Sequence, residues 1–305
     1  MPLVSVIIPT YNRTRWIRQS IASAIGQQNA DIEVIVVDDG SSSHIVQQIA
    51  AEFPNTRYIY QPNQGPGATR NTGIAASTGE FVQFLDDDDW LSDNAVQQKL
   101  AAFTNSPNLA AVYTDLFWTD ENGKILKNVF HGWKRPLPSG DLYPLLVQRN
   151  FIPIHALLWK RAALEAVNGF PLRSAYEDWE TLLKVSATAR FGCVDQPLGY
   201  YRRHPGNISR SFSGMMAGKL AFQAQTAASP RFQALPADLR KKILIKYALL
   251  QSAFGNPEIA SQFLHSAAEI PGSNLPLNIA AYAHHTGPFL LRIILRTWHE
   301  WNRYT

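Results

Sequence analysis

Leu3-Val4-Ser5-Val6-Ile7-Ile8-Pro9-Thr10-Tyr11-Asn12-Arg13 decides the fold class of this chain. Leu3 to Pro9 is an apolar run of the kind found in buried parallel strands, and a polar cluster follows it at once. Trp16, Ile17, Ile21, Ala24 and Ile25 then share one helical face. The strand-helix unit repeats. Ile32 to Val37 reads as a second buried strand, Ile45 to Phe53 as a helix, Arg57 to Tyr60 as a short strand, Ala68 to Ala76 as a helix, and Phe81 to Leu85 as a fourth strand. A helix over Leu91 to Phe103 and a strand over Ala110 to Tyr113 continue the pattern, and Val112 to Val129 reads as a hairpin turning at Glu121, Asn122 and Gly123. This alternation predicts an α/β fold with a Rossmann-like, mainly parallel sheet flanked by helices. From about Gly214 the pattern is helical, punctuated by Pro230, Pro236, Pro257, Pro271, Pro276 and Pro288. The expected organisation is a domain over 1–210 and an all-helical region over 211–305.

Composition narrows the class. With 305 residues, 46% apolar and 17% charged, the chain can bury a substantial core. A net charge of +4 without any basic block gives nucleic acid binding little support, although the surplus favours anionic ligands. The one cysteine, Cys193, excludes an intrachain disulfide and fits a reducing compartment. No uninterrupted apolar stretch approaches membrane-spanning length and no signal-peptide pattern precedes Leu3, so a cytoplasmic protein is expected.

Three polar clusters follow predicted strands: Thr10 to Arg13, Asp38-Asp39-Gly40-Ser41, and Asp86-Asp87-Asp88-Asp89. Each has a plain reading as a turn or helix cap, and Asp89 and Asp93 suit a helix start; that reading leaves Asp86 and Asp88 unexplained. Carboxylates packed this densely repel one another unless a cation neutralises them, and hard oxygen donors suit Mg2+ or Mn2+. Their shared place, past the carboxyl ends of parallel strands, is where such sheets bind ligands, and it points to a nucleotide and metal site. Asn63 to Gly73 adds a glycine-rich loop after the third strand. A dinucleotide fingerprint follows the first strand and carries glycine where Arg70 stands, so a dehydrogenase is disfavoured. Arg70 can reach a base or a phosphate from that helix, a structural turn being the alternative.

Pro-Thr-Tyr-Asn-Arg (9–13), Val-Val-Asp-Asp-Gly-Ser (36–41), Asn63 to Gly73 and Phe-Leu-Asp-Asp-Asp-Asp-Trp (84–90), in this order, resemble the family 2 glycosyltransferases of the GT-A fold over roughly residues 3 to 210. The resemblance implies that Thr10, Tyr11, Arg13, Asp38, Asp39 and Arg70 hold the nucleotide, with Asp38 accepting from the base. It places Asp86, Asp87 and Asp88 on the D-x-D motif, with Asp88 as the direct ligand of Mn2+ or Mg2+ and Asp86 beside it. Downstream, Glu177-Asp178 after Asn168-Gly169-Phe170-Pro171 matches the family's catalytic base at Asp178, although acids at a helix start are commonplace. The helix dipole is expected to keep Asp178 ionised. Glu177, Trp90 and Trp179 are candidate acceptor or phosphate contacts, the tryptophans as flat faces for a sugar ring or as plain core. In Tyr200 to Ser209, a Y-R-x-H type stretch, Arg203 or His204 is expected on the phosphates or the metal, or as surface charge.

The implied activity is a single, inverting transfer from a nucleotide-diphosphate sugar, by family habit a UDP-sugar, to a hydroxyl of a glycan or lipid-linked acceptor in surface glycan or glycolipid synthesis. The Q-x-x-R-W motif of processive members is absent. A sugar-1-phosphate nucleotidyltransferase needs a glycine-rich loop after strand one, and a catalytically silent nucleotide-sugar binding protein lacks a usable base. Phe289, Leu290, Leu291, Ile293, Ile294, Leu295 and Trp298 among Arg292, Arg296, His299 and Arg303 compose a basic interfacial helix, for peripheral membrane contact or for packing on the protein.

Overall fold

The structure is a computed structural model that describes residues 1–127, 136–172, 175–207, 212–272, 278, 280, 281 and 284. The end of the expected hairpin, Ile208 and Ser209, and the basic segment 289–303 lie outside the described residues. The chain divides into two compact units, Met1–Arg210 and Ser211–Thr305.

The first unit is a mixed, helix-flanked sheet. Its strands are β1 (Leu3–Thr10), β2 (Asp31–Asp38), β3 (Thr56–Tyr60), β4 (Phe81–Phe84), β5 (Trp90–Leu91), β6 (Leu109–Thr119), β7 (Ile125–Lys127), β8 (Leu157–Lys160) and β9 (Arg190–Arg202). They lie in the order β3-β2-β1-β4-β8-β6-β9-β5, with β7 paired to β6. The half β3-β2-β1-β4 is parallel, as the apolar runs require; β8 enters antiparallel to both β4 and β6. The pairing of β6 with β9 is parallel again, so the sheet is mixed with parallel pairing dominant. Short β5 and β8 carry too little pattern to reveal their pairing from local sequence, because pairing partners are distant in the chain.

Helices α1 (Ile17–Ile25), α2 (Ile45–Ala51), α3 (Pro66–Ala76) and α4 (Ala95–Asn105) alternate with the early strands along the chain, followed by α5 (Tyr143–Leu146), α6 (Arg161–Glu165) and α7 (Glu177–Ser186). The core cluster joins Val4, Val6 and Ile8 of β1 to Ile17, Ile21 and Ala24 of α1, all with no exposed surface. At about 1.5–3 kcal/mol per fully buried branched side chain, this inward face fixes the register of β1. Two starts stand out. Pro66 opens α3, where the missing N–H costs nothing, and Tyr176 precedes α7 at φ 61°, a left-handed conformation uncommon for tyrosine.

The second unit is helical: α8 (Phe212–Ala221), α9 (Gln223–Ala228), α10 (Pro230–Gln233), α11 (Ala237–Phe254) and α12 (Pro257–Ala268). Pro230 and Pro257 each open a helix, and Asn256 caps α12 by accepting from the Glu258 N–H at 2.7 Å. Phe232, Tyr247 and Phe263 form its aromatic core. Among the described residues no helix is long and apolar enough to cross a membrane.

Candidate active site

The order β3-β2-β1-β4 reverses direction at β1, so a crevice opens between the carboxyl ends of β1 and β4, the switch point at which open α/β sheets bind ligands. Thr10 and the aspartate run meet across it. Thr10 Oγ1 donates to Asp87 Oδ2 at 2.6 Å. Arg13 reaches over from the same loop, and its Nη1 lies 3.2 Å from Asp87 Oδ1 and 2.7 Å from Asp88 Oδ2, while Nη2 donates to the Gly206 carbonyl at 2.8 Å.

The four aspartates face two ways. Asp87 and Asp88 turn toward Thr10, Arg13 and His204, whereas Asp86 and Asp89 bring carboxylate oxygens to a common pocket with buried His155. Burial first, and then repulsion from Asp88, push Asp87 up to about 7 against the pull of Arg13 and Thr10. Burial likewise raises Asp88, to which Asp86 adds, and Asp89, to which Asp88 adds. Arg13 therefore leaves a demand for positive charge unmet. The donor set of hard carboxylate oxygens fits a divalent cation, and among the described residues Asp86, Asp89 and His155 bring ligand atoms within 4.8 Å of one another.

His204 Nε2 lies 2.9 Å from Asp88 Oδ2, while the Gly206 N–H donates to Nδ1 at 3.1 Å. A neutral ring accepting at Nδ1 must carry its proton on Nε2, so His204 here donates to Asp88. For Nε2 to ligate a cation, the Gly206 N–H must leave Nδ1. On the other side, His155 Nδ1 sits 3.2 Å from Asp89 Oδ2, yet neither ring nitrogen makes an aligned hydrogen bond, and burial holds this imidazole down at about 4.

Asp38 and Asp39 divide their work. Asp38, with no exposed surface, accepts from the Ser41 N–H (2.9 Å) and from the Tyr58 hydroxyl (2.9 Å). Asp39 accepts from Gln61 Nε2 (2.7 Å), the Gln64 N–H (3.0 Å) and the Gly65 N–H (2.8 Å), so both its oxygens are spent on fixing the loop before α3. That loop aims Arg70, which is buried, at two acids: Nη1 pairs closely with Glu177 Oε1, and Nη2 lies 3.1 Å from Asp86 Oδ1. Its Nε has no partner. Tyr11 is half exposed at the rim.

Asp178 stands beside this pair in the first turn of α7. Its Oδ1 accepts from the Trp179 N–H at 2.7 Å and its Oδ2 from Asn150 Nδ2 at 3.3 Å. The expectation that the helix dipole keeps it fully ionised meets an opposing effect: burial, then Glu177, raise Asp178 to about 7, with Arg70 pulling the other way. The chain Asp178, Glu177, Arg70, Asp86 thus links the base candidate to the aspartate run.

The two tryptophan candidates are packed against their neighbours, the second of the two readings given for them. Trp179 is core: 3% exposed, with its indole N–H donated to the Leu146 carbonyl. Trp90 has both faces covered, one stacked on Tyr200 at 4.5 Å and the other under the Arg202 guanidinium at 4.5 Å. Arg203 lies over the Trp118 ring at 4.5 Å. Arg202, its neighbour, is the buried one of the two and touches the run. The signal was available: Leu198, Tyr200, Arg202 and His204 fall on one face of an alternating strand. Asn150, Tyr58 and His155 carried no local signal.

The sequence profile of Glycosyl transferase family 2 matches residues 5–165, more than half of the chain. The chain belongs to that family. It is 33% identical over 216 residues to an uncharacterized glycosyltransferase of Nostoc sp., covering 67% of this chain and 66% of that protein. It is 34% identical over 201 residues to the chondroitin synthase of Escherichia coli, covering 64% of this chain and 28% of the synthase. The chain thus spans less than two thirds of either relative. Among solved structures, S. aureus TarS 1-349 in complex with UDP-GlcNAc superposes with a TM-score of 0.69 at 18% identity, covering 96% of this chain and 91% of that one. A mannosyltransferase from Pyrobaculum calidifontis in complex with GDP-Man and Mn2+ gives 0.57 at 20%, covering 96% and 83%. Both likenesses are of fold, a GT-A α/β architecture.

Proposed function

We propose that Met1–Arg210 binds a nucleotide-diphosphate sugar, with a UDP-sugar the first candidate, and transfers one sugar with inversion to an acceptor hydroxyl. The observation that carries this reading is Asp178: a carboxylate near neutrality at a helix start, tied through Glu177 and Arg70 to the aspartate run. The family membership and the two structural neighbours holding UDP-GlcNAc and GDP-Man support it.

Tyr11 offers its exposed ring to the nucleoside at the end of β1, and Asp38, at the end of β2, accepts from the base once the Tyr58 hydroxyl leaves its Oδ2. Asp88, turning from Arg13, would hold the divalent cation, Mn2+ or Mg2+, together with Asp86. The ion supplies charge neutralisation for the leaving diphosphate, so no protein acid is required there. Asp178 Oδ2 takes the proton of the acceptor hydroxyl as that oxygen bonds to the anomeric carbon, and the bond to the diphosphate breaks on the opposite face with its electron pair leaving on the phosphate oxygen. Asn150 holds Oδ2 until the acceptor arrives. One base and one displacement give inversion. Surface glycan or glycolipid synthesis supplies a suitable acceptor, glycan or lipid-linked.

A panel of UDP-, dTDP- and GDP-sugars, screened by thermal shift with Mn2+ and with chelator, tests the reading. A shift for one nucleotide class that chelator removes is expected. Equal shifts with and without chelator overturn the metal's part in binding, and no shift for any nucleotide overturns the donor site.

A further inference from the structure

The Arg202 guanidinium is 2% exposed and enclosed between two indoles, 5.1 Å from the Trp16 ring and 4.5 Å from the Trp90 ring. An arginine beside four aspartates would be expected to pair with their carboxylates. It does not. Nε donates to the main-chain carbonyl of Asp88 (2.8 Å), Nη1 to the carbonyl of Glu121 (2.8 Å), and Nη2 to Gln19 Oε1 (2.5 Å), so each of these nitrogens meets an uncharged oxygen. Its own backbone N–H donates to Asp89 Oδ1 at 2.7 Å, and its carbonyl accepts from Asn207 Nδ2 at 3.1 Å.

We propose that Arg202 is a positioning residue for the cation-binding aspartates: its planar fork, clamped between Trp16 and Trp90, fixes the main chain at Asp88 against α1 and the turn at Glu121. The inference rests on the reading of the aspartate run as the cation and donor seat. A guanidinium suits the task because its donors lie in one rigid plane and that plane stacks on aromatic faces; an ammonium offers neither. The same strand end carries the Asn207 bond and then His204, so Arg202 also ties the loop over Asp88 to the turn beneath it. Groups supporting a metal ligand from behind tune its affinity by about 10–100-fold, and an effect of that size is expected here.

The test is Mn2+ binding to the full chain in the presence of UDP, followed by the electron paramagnetic resonance of free Mn2+ and counted per folded protein by circular dichroism. Arg202→Lys should weaken Mn2+ binding about ten-fold or more. Arg202→Ala should behave alike and recover affinity in millimolar guanidinium but not in equal ammonium, a rescue that general loss of stability does not predict. Gln19→Met, on the exposed side of α1, removes one acceptor and should weaken binding less, in the same direction; it carries the test if the Arg202 variants do not fold. Native affinity in folded Arg202→Lys, or in Gln19→Met where Arg202 variants fail to fold, overturns the positioning role. Native affinity in Asp88→Ala overturns the cation seat itself, and the proposal with it. Loss in Asp88→Ala with no change in Arg202→Lys separates the two failures.

Discussion

At the scale of single residues, charge is held where the fold makes it costly. Asp88→Ala removes the carboxylate that faces both Arg13 and His204 and should abolish Mn2+-dependent turnover of the donor, with the thermal unfolding of the free protein little changed or raised, because one repulsive buried acid is gone. Full turnover in chelator would count against it. Asp178→Asn keeps the shape and loses the base: donor affinity should stay near native while turnover falls about 10²–10⁴-fold, and an equal fall in donor affinity would make Asp178 a donor ligand instead. The native pH profile should rise to a plateau above about 7, since the base must be deprotonated. Stability runs the other way. A carboxyl raised from 3.8 to about 7 binds its proton more tightly in the folded state, so the unfolded state holds fewer protons and stability falls as pH rises between those values. Asp178→Asn should therefore melt higher than the native protein at pH 8 and close to it at pH 4, and identical differences at both would refute the assignment.

At the scale of elements, α3 and the start of α7 meet through a glycine. A methyl on Gly67 would stand 2.1 Å from the Pro171 carbonyl, a backbone atom that cannot turn aside. Gly67→Ala must push apart the helix bearing Arg70 and the loop leading to Glu177 and Asp178. It should cost about 1–3 kcal/mol of stability, as overpacking does, and reduce turnover beyond what the lost folded fraction explains. Denaturant unfolding beside kcat on the same preparation checks this; a stability loss with native turnover would mean that the Arg70 to Glu177 contact does not place the base. The left-handed Tyr176 just before α7 belongs to the same junction, where the backbone is bent and Glu177 meets Arg70.

At the scale of the whole molecule, the core that supports the site lies within Met1–Arg210, from Val4 of β1 to Leu198 of β9. A chain ending at residue 210 should unfold cooperatively and keep the UDP- and Mn2+-dependent thermal shift; loss of cooperative unfolding would show that the helical unit is required. The sequence alone determined the parallel half of the sheet, because buried strands and amphipathic helices write their period into neighbouring residues, and it singled out Thr10, Asp38 and the aspartate run, which end or follow strands, and Arg70 and Asp178, which stand near helix starts. Only the tertiary structure decided how those groups are used. It inserted antiparallel β8 beside β4, grouped Asp86 and Asp89 with His155, assigned Asp39 to a loop and Trp179 to the core, and set Arg202 under the site. Each of these depends on contacts between residues tens to more than a hundred positions apart, and the burial that moves Asp178 toward 7 is a property of the packed fold that no local pattern encodes.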